Sequence, residues 1–572
     1  MQAAIQAKGE AIFNLMEAEA GSIFNKDWWY GKIMDWSMKN EVFKTQMFRF
    51  VDVLPSLQSS SEVARHMKEY FSEGGGDIPS IFNMGMGLGS LAPGLMAGAV
   101  KKNVTEMARM FITGESPQDA LSVLKKARKN KIAFTADLLG EACLSESEAQ
   151  TYQRTYLSLI SELAKDAVKW EHVPQIDEDA AGAIPRVNVS VKLSSLYSQI
   201  DVKAWEHSKN ILKERLRPIF NLAIENNAFV NIDMEQYELK DLTLEVFKDL
   251  IMEPAFKTYA HWGIVIQAYL RDSLADIKSL TEFARMRGTP FTVRLVKGAY
   301  WDFETVFAAQ QQWPVPVYLI KAESDVNYED CAAHLLKNSR DIKAALGTHN
   351  VRSIAACMIL AEQLGLSPRA YEIQMLYGMA DPIKKALVKM GARVREYAPI
   401  GDLLPGMAYL VRRLLENTSN ESFLRSKFAE NFSTEALLRD PRELVKAAPG
   451  ANEPADLTPK HKFKNEALLD FGIKSNQENL LQTLKDFKQS LGQDYPLYIA
   501  GRELTTGNWL ESKNPSEPTQ VIGRVAIASR TEAEAAIQSA AQSFKTFKNV
   551  SSKARADILD KVADIFARDR MT

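Results

Sequence analysis

The chain has 572 residues, 46% hydrophobic and 25% charged, which is enough apolar material for a large core and, at ordinary domain sizes, about two to four domains. A formal net charge of −2 provides no global field for a polyanion and argues against nucleic acid as a partner. The three cysteines, Cys143, Cys331 and Cys357, stand far apart, so neither a disulfide framework nor a zinc-ligand spacing is present, and a reducing cytoplasm is the expected setting.

Met1 opens into a polar helical pattern carrying Gln2, Gln6, Lys8 and Glu10, which does not read as a secretory signal. Residues 1–125 read as helices, among them stretches within 41–71 with Ser59, Ser60 and Ser61 as cap candidates, and an amphipathic helix over 118–130. Residues 78–100 carry no charge and have the length of a membrane span. They also contain Pro79, Pro93 and five glycines, so a buried irregular or short-helical segment is the reading we adopt. Gly85-Met-Gly-Leu-Gly89 lacks a preceding strand and the spacing of a nucleotide loop.

From residue 126 to 425 the pattern changes. Eight short apolar runs recur at 132–139, 187–193, 229–234, 264–269, 291–296, 344–348, 371–376 and 394–398, each followed by a helical stretch. Strand then helix, eight times over, predicts a (β/α)8 barrel rather than a doubly wound sheet, whose glycine-rich first turn is missing. Residues 426–490 read as a helical linker broken by a Pro/Gly/Ala-rich stretch at 447–459, and 491–572 as a new unit of strands followed by two helices, 531–547 and 551–568.

Barrel enzymes carry their chemistry at the carboxyl ends of the strands. Those ends hold Asp137, then Lys192 and Ser194, then Asp233 and Glu235, then Gln267 and Tyr269. Next come Arg294 and Lys297 with Gly298-Ala-Tyr-Trp301, Thr348-His-Asn350, Gln374 and Leu376, and Tyr397. Taken singly, each charged residue fits an ion-pair network plugging the barrel; gathered at one end of one barrel, they read as a polar site. In the helix after the last strand, Tyr409, Arg412, Arg413 and Glu416 share a face at i, i+3, i+4 and i+7. A solvated Arg–Glu face is one reading, and a guanidinium clamp for a carboxylate is the other. His349 has no second histidine or cysteine at ligand spacing, so no metal site is expected.

These residues carry a family resemblance. Ser190-Val-Lys-Leu-Ser194, Asn231-Ile-Asp233, Val265-Ile-Gln-Ala-Tyr269, Val293-Arg-Leu-Val-Lys-Gly-Ala-Tyr-Trp-Asp302, Asp325-Val-Asn-Tyr328, Gly347-Thr-His-Asn350, the run from Tyr371 to Met379 and that from Tyr409 to Asn417 resemble proline dehydrogenase. The similarity is to the bifunctional bacterial proline utilisation A flavoproteins, whose arm and α-domain the amino-terminal helices also resemble. Tyr498-Ile-Ala-Gly501 and Asn514-Pro515 resemble the start of an aldehyde dehydrogenase domain. The resemblance implies that the NAD loop and nucleophilic cysteine of that second domain would lie beyond residue 572, so NAD is expected only for a part not present here.

The resemblance further implies an FAD-dependent oxidation of L-proline to 1-pyrroline-5-carboxylate, by hydride transfer from proline C5 to flavin N5. It places the substrate carboxylate against Arg412, Arg413 and Lys192, and the ring among Asp233, Tyr300, Leu376, Tyr397 and Tyr409. FAD is expected against Gln267, Arg294, Lys297, Gly298, Ala299, Trp301, Lys321, Thr348, His349, Asn350 and Glu416, with Asp137 pairing Tyr409. A quinone as electron acceptor, transient contact with the inner face of the membrane, a cytoplasmic location and a possible homo-oligomer follow from the same likeness. Two positions depart from the family pattern: the run from Pro316 to Lys321 lacks a usual arginine, and Met375 stands where relatives often have cysteine. Other readings of the residues remain: a barrel flavoenzyme for another small amine, a non-catalytic scaffold, or a DNA-binding regulator.

Overall fold

The structure is a computed structural model, and it describes residues 1–20, 46, 49–50, 53, 56–57, 59–72, 109–140, 142–402, 433–447 and 465–571. The uncharged stretch at 78–100 and the predicted helix carrying Tyr409, Arg412, Arg413 and Glu416 lie outside the described residues. The chain divides into two compact units, Met1–Pro459 and Lys460–Thr572.

In the first unit, α1 (Gln2–Ala20), α2 (Ser60–Ser72) and α3 (Pro117–Lys129) precede the barrel. Ser59 caps α2 reciprocally: its Oγ accepts from the Glu62 amide while the Glu62 carboxylate accepts from the Ser59 amide. The predicted helix at 118–130 is α3, started by Ser116, whose Oγ accepts from the Asp119 amide, and by Pro117 in its first turn.

The eight predicted strands are all present: β1 (Ile132–Leu138), β2 (Val187–Val191), β3 (Ala228–Ile232), β4 (Trp262–Gln267), β5 (Thr292–Val296), β6 (Lys343–Gly347), β7 (Tyr371–Leu376) and β8 (Val394–Ile400). They form a closed barrel in which every neighbouring pair is parallel and β8 returns to β1, pairing Ile132 with Val394 through Leu138 with Ile400. The connecting helices include α4 (Glu146–Ala167), α5 (Trp205–Glu225), α6 (Lys240–Ile251), α7 (Ser273–Arg287), α8 (Trp301–Gln311), α9 (Lys321–Lys337), α10 (Val351–Gln363) and α11 (Asp381–Lys389).

The strand period explains the layering. Val189, Val191, Val230, Ile232, Ile264, Val293 and Leu295 alternate along their strands and are fully buried against the helix layer. Each such side chain contributes about 1.5–3 kcal/mol by leaving water. Between the layers, Phe220 of α5 stacks on Trp262 of β4 with ring centroids 4.1 Å apart. The alternate positions face the barrel axis, and many are polar: Thr135, Asp137, Asn188, Ser190, Asn231, Arg294, Glu372, Gln374 and Arg395, beside small or apolar Ala133, Val265 and Ala345. The barrel is therefore apolar outside its strands and ionic inside them.

At the amino end of the barrel, Arg395 grips Glu372 through three contacts of 2.9–3.1 Å, and Arg393 lies 3.4 Å from the same carboxylate. Lys343 pairs with Asp179 there. These residues, with Asn188, Thr292 and His261, line a cavity of about 30 Å³, at the opposite end from the predicted site. Helix α1 docks against the barrel's helix layer: Ile5 packs with Ala355, Ala356 and Ile359 of α10, and Lys8 pairs with Glu362 at 2.7 Å. Buried Arg352 of α10 joins α1 to the segment after the barrel by donating to the Gln2 side chain and to the Leu438 carbonyl.

The second unit contains α12 (Lys474–Gln489), a three-stranded sheet and a hairpin. Its strands are β9 (Gln493–Tyr495), β10 (Leu497–Ile499), β11 (Arg502–Leu504), β12 (Trp509–Asn514) and β13 (Glu517–Ala526), with β13 central between β9 and β12. Two helices follow, α13 (Arg530–Phe547) and α14 (Ser552–Arg568), the first begun by a Ser529–Glu532 capping box. Among the described residues no helix is long and apolar enough to cross a membrane.

Burial alone would raise the Glu372 carboxyl, yet Arg395 and Arg393 hold it down at about 2. Against an unfolded value of about 4.3, the depressed group adds stability that is complete above that value and is lost as pH falls through it toward about 2. Glu372→Gln should destabilise the protein by about 3 kcal/mol at pH 7, because it strips charge from a buried pair. The difference should shrink at pH 3, as read from denaturant midpoints at the two pH values.

Candidate active site

The site is built from side chains that consecutive strands deliver to the carboxyl end of the barrel. Asp137 is the penultimate residue of β1 and is almost fully buried. Lys192 follows β2, and its ammonium pairs with Asp137. Asp233 follows β3 and is the hub. Its Oδ1 accepts from Arg294 Nη1 at 2.8 Å and from Asn231 Nδ2 at 3.2 Å. Its Oδ2 accepts from the Tyr397 hydroxyl at 2.7 Å and lies 3.8 Å from Lys192 Nζ. Lys192 also donates to the Tyr397 oxygen at 3.4 Å, and the Arg294 guanidinium sits 5.4 Å from the centre of the Tyr397 ring. One layer deeper, Arg294 Nη2 donates to Ser190 Oγ at 3.0 Å.

The electrostatics follow from burial. Burial works against charge on Lys192, but Asp137 and Asp233 outweigh it and hold its pKa above the usual lysine range. Burial raises the Asp137 carboxyl, opposed by the Lys192 charge. Burial, and then the charges of Asp137 and Asp233, push the Tyr397 hydroxyl well above its ordinary value, so it stays protonated and donates to Asp233. The cluster is a cation fixed between two carboxylates, beside a neutral phenol and a guanidinium.

A second group forms around the end of β5 and the start of α9. Lys297 and Lys321 share the Asp325 carboxylate. Burial lowers the Lys297 pKa despite Asp325, while the two lysines pull the Asp325 carboxyl below its usual range against burial. Gly298 has φ +125°, and a Cβ there would meet the Tyr269 ring at 2.4 Å, so the Gly298 backbone lies directly on that ring. Trp301 donates its indole N–H to the Tyr318 carbonyl at 2.9 Å. Thr348, His349 and Asn350 lead into α10. Asn350 caps it by accepting from the Ser353 amide at 3.2 Å, and His349 Nε2 accepts from the Leu376 amide at 3.0 Å. Gln267, at the end of β4, donates to the Glu235 carbonyl at 2.8 Å.

Asp137, Lys192, Asp233, Arg294 and Tyr397 thus form one connected network. Lys297 and Lys321 form a second, and Ala299, Tyr300, Trp301 and Leu376 lie on the same rim of strand ends. Tyr409, Arg412, Arg413 and Glu416 lie outside the described residues, and so does the expected Asp137–Tyr409 pairing. Sequence reasoning gave no role to Asp325, which both lysines use, nor to Ser190 and Tyr156. Ser190 stands two residues before Lys192 in the inward strand period, a signal that points to it; Tyr156 comes from α4, and nothing local marks it. Among the described residues no cluster fit for a metal ion occurs.

These features define a (β/α)8 barrel that gathers charged side chains at the carboxyl ends of its strands, the end at which barrel enzymes carry their chemistry. The proline dehydrogenase family model matches residues 120–426, the proline utilization A N-terminal domain residues 2–111, and the aldehyde dehydrogenase family residues 503–572. The chain belongs to the proline dehydrogenase family. It is 31% identical over 324 residues to the proline dehydrogenase of Deinococcus radiodurans, covering 57% of this chain and 90% of that one. It is 30% identical over 474 residues to the bifunctional protein PutA of Escherichia coli K12, covering 80% of this chain and 35% of that one. The solved structure of proline utilization A from Bdellovibrio bacteriovorus, inactivated by N-propargylglycine, superposes with a TM-score of 0.89 at 57% identity, over 100% of this chain and 57% of that one. The chain therefore spans about a third of the length of the bifunctional curated relatives it matches.

Asp233→Ala removes the acceptor of both Arg294 and Tyr397 and leaves the buried guanidinium uncompensated. Unfolding free energy should fall by about 3–5 kcal/mol, and Asp233→Asn, which keeps an acceptor oxygen, should lose less, as measured by denaturant titration.

Proposed function

We propose that this chain oxidises L-proline to 1-pyrroline-5-carboxylate with bound FAD, as the first step of proline catabolism. The observation that carries the reading is the cation of Lys192, fixed between Asp137 and Asp233 beside Tyr397, at the active end of a barrel of the proline dehydrogenase family. A fixed, buried ammonium recognises a carboxylate without the cost of being ordered first.

The residues present fit a flavin. Arg294 Nε is buried with no hydrogen-bond partner among the described residues, an orphan donor that asks for an acceptor. Lys297 and Lys321, which share Asp325, supply charge suited to phosphates. On this reading FAD is held by Gln267, Arg294, Lys297, Gly298, Ala299, Trp301, Lys321, Thr348, His349, Asn350 and Glu416. A bound flavin supplies the acceptor, at N5, for the hydride leaving proline C5. The chain's own part is orientation and electrostatics. Lys192, Arg412 and Arg413 hold the substrate carboxylate, while Asp233, Tyr300, Leu376, Tyr397 and Tyr409 enclose the ring. Arg294 favours negative charge developing beside it. The amine must be neutral to release density toward C5. Passage of electrons to a quinone, with transient membrane contact, rests on the family alone.

The purified protein should show a flavin spectrum that bleaches on anaerobic addition of L-proline and not of acyclic amines. A colourless protein that cannot be loaded with FAD would reject the reading. Arg412→Ala and Arg413→Ala should each raise the proline KM by about tenfold or more while the flavin spectrum persists, a loss within the range for one partner of a charge pair.

A further inference from the structure

We propose that Glu235 is a positioning residue that fixes the Lys192 ammonium for the substrate carboxylate; this rests on the function proposed above. Glu235 is buried two residues beyond Asp233, and among the described residues no hydrogen bond joins it to Lys192, whose charge nonetheless favours its ionised form. It instead takes both donors of Ser194: one carboxylate oxygen accepts from the Ser194 amide at 3.1 Å and the other from the Ser194 hydroxyl. Ser194 lies in the single 3₁₀ turn, Leu193–Ser195, that begins at Lys192.

The rest of the turn is held as tightly. Ser195 Oγ donates to the Lys192 carbonyl at 2.7 Å, and the Lys192 amide donates to the hydroxyl of fully buried Tyr156 at 3.3 Å. Glu235 is in turn tied to β4, because Gln267 donates to its carbonyl at 2.8 Å. Glu235 therefore links the ends of β2, β3 and β4. The only chemistry-bearing side chain on the turn it fixes is Lys192. A long lysine has freedom to lose on ordering, and a turn clamped from both ends removes part of that freedom before substrate arrives. The geometry needs two acceptor or donor atoms at Glu235 and does not need its charge, since a carboxamide can accept from the Ser194 amide and donate to its hydroxyl.

The test uses the flavin-loaded full chain. Proline-dependent reduction of a dye gives KM and kcat, and calorimetry gives the affinity for cyclopentanecarboxylate, a ring acid that lacks the oxidisable amine. Glu235→Ala should raise the proline KM and weaken the carboxylate by about tenfold each, with kcat within about threefold, the pattern of a lost binding interaction. Glu235→Gln should stay within about twofold of wild type, because the hydrogen bonds survive. In a Lys192→Ala background, Glu235→Ala should add almost nothing, since residues acting through one group are not additive. If Glu235→Ala does not fold, Ser194→Ala stands in, with a smaller rise in KM in the same direction. Wild-type KM and affinity in the alanine variants would overturn the proposal, as would a glutamine variant as defective as alanine or full additivity with Lys192→Ala. If wild type itself reduces no dye with proline, the function proposed above fails instead, and the cyclopentanecarboxylate affinities still decide the positioning role.

Discussion

The Asp233 carboxylate is the interaction on which the site depends. Four groups converge on it: Arg294, Asn231 and Tyr397 by hydrogen bonds, and Lys192 at 3.8 Å. They come from four different strands or their ends, so the position of one carboxylate couples the geometry of half the barrel. An unpaired charge in such a place costs several kcal/mol, and this network meets the requirement with hydrogen bonds on both carboxylate oxygens. The same arrangement leaves Lys192 charged and Tyr397 protonated, the two states a carboxylate-recognising pocket requires.

The barrel contains two ionic layers with different roles. At the amino end, Arg395 and Arg393 both pair with the Glu372 carboxylate, although Arg393 Nε makes no hydrogen bond among the described residues. At the carboxyl end Asp233 joins Arg294, Tyr397 and Lys192, and Arg294 Nε is buried with no hydrogen-bond partner among the described residues. The first layer is the structural plug that each charged residue, taken singly, suggests. The second is the layer that we propose receives the substrate. Both arise from one strand pattern, with polar residues at many of the alternate positions facing the axis and branched apolar residues facing the helices.

That pattern is why the fold was legible. Eight apolar runs with helical stretches between them predicted eight strands, and all eight occur with boundaries displaced by at most a few residues. The strand ends also pointed to Asp137, Lys192, Asp233, Arg294 and Tyr397, because the period of two fixes which side chains face inward. What the strand ends could not disclose was the pairing. Asp325 sits on a helix and meets Lys297 only after the barrel closes, and Tyr156 reaches the Lys192 amide from α4. Such contacts depend on how a helix packs on the sheet, which no short-range period encodes. Glu235 was visible as a strand-end carboxylate, but its use of the Ser194 turn depends on the local 3₁₀ geometry.

The central claim is that Lys192 waits, already oriented, for a substrate carboxylate. A crystal structure of the flavin-loaded protein with cyclopentanecarboxylate bound tests it most directly. The account predicts a carboxylate oxygen within about 3 Å of Lys192 Nζ, with the Asp233–Arg294 and Asp233–Tyr397 hydrogen bonds unchanged. A ligand seated elsewhere, or a Lys192 that swings away from Asp137 and Asp233 before it can reach the carboxylate, would contradict it.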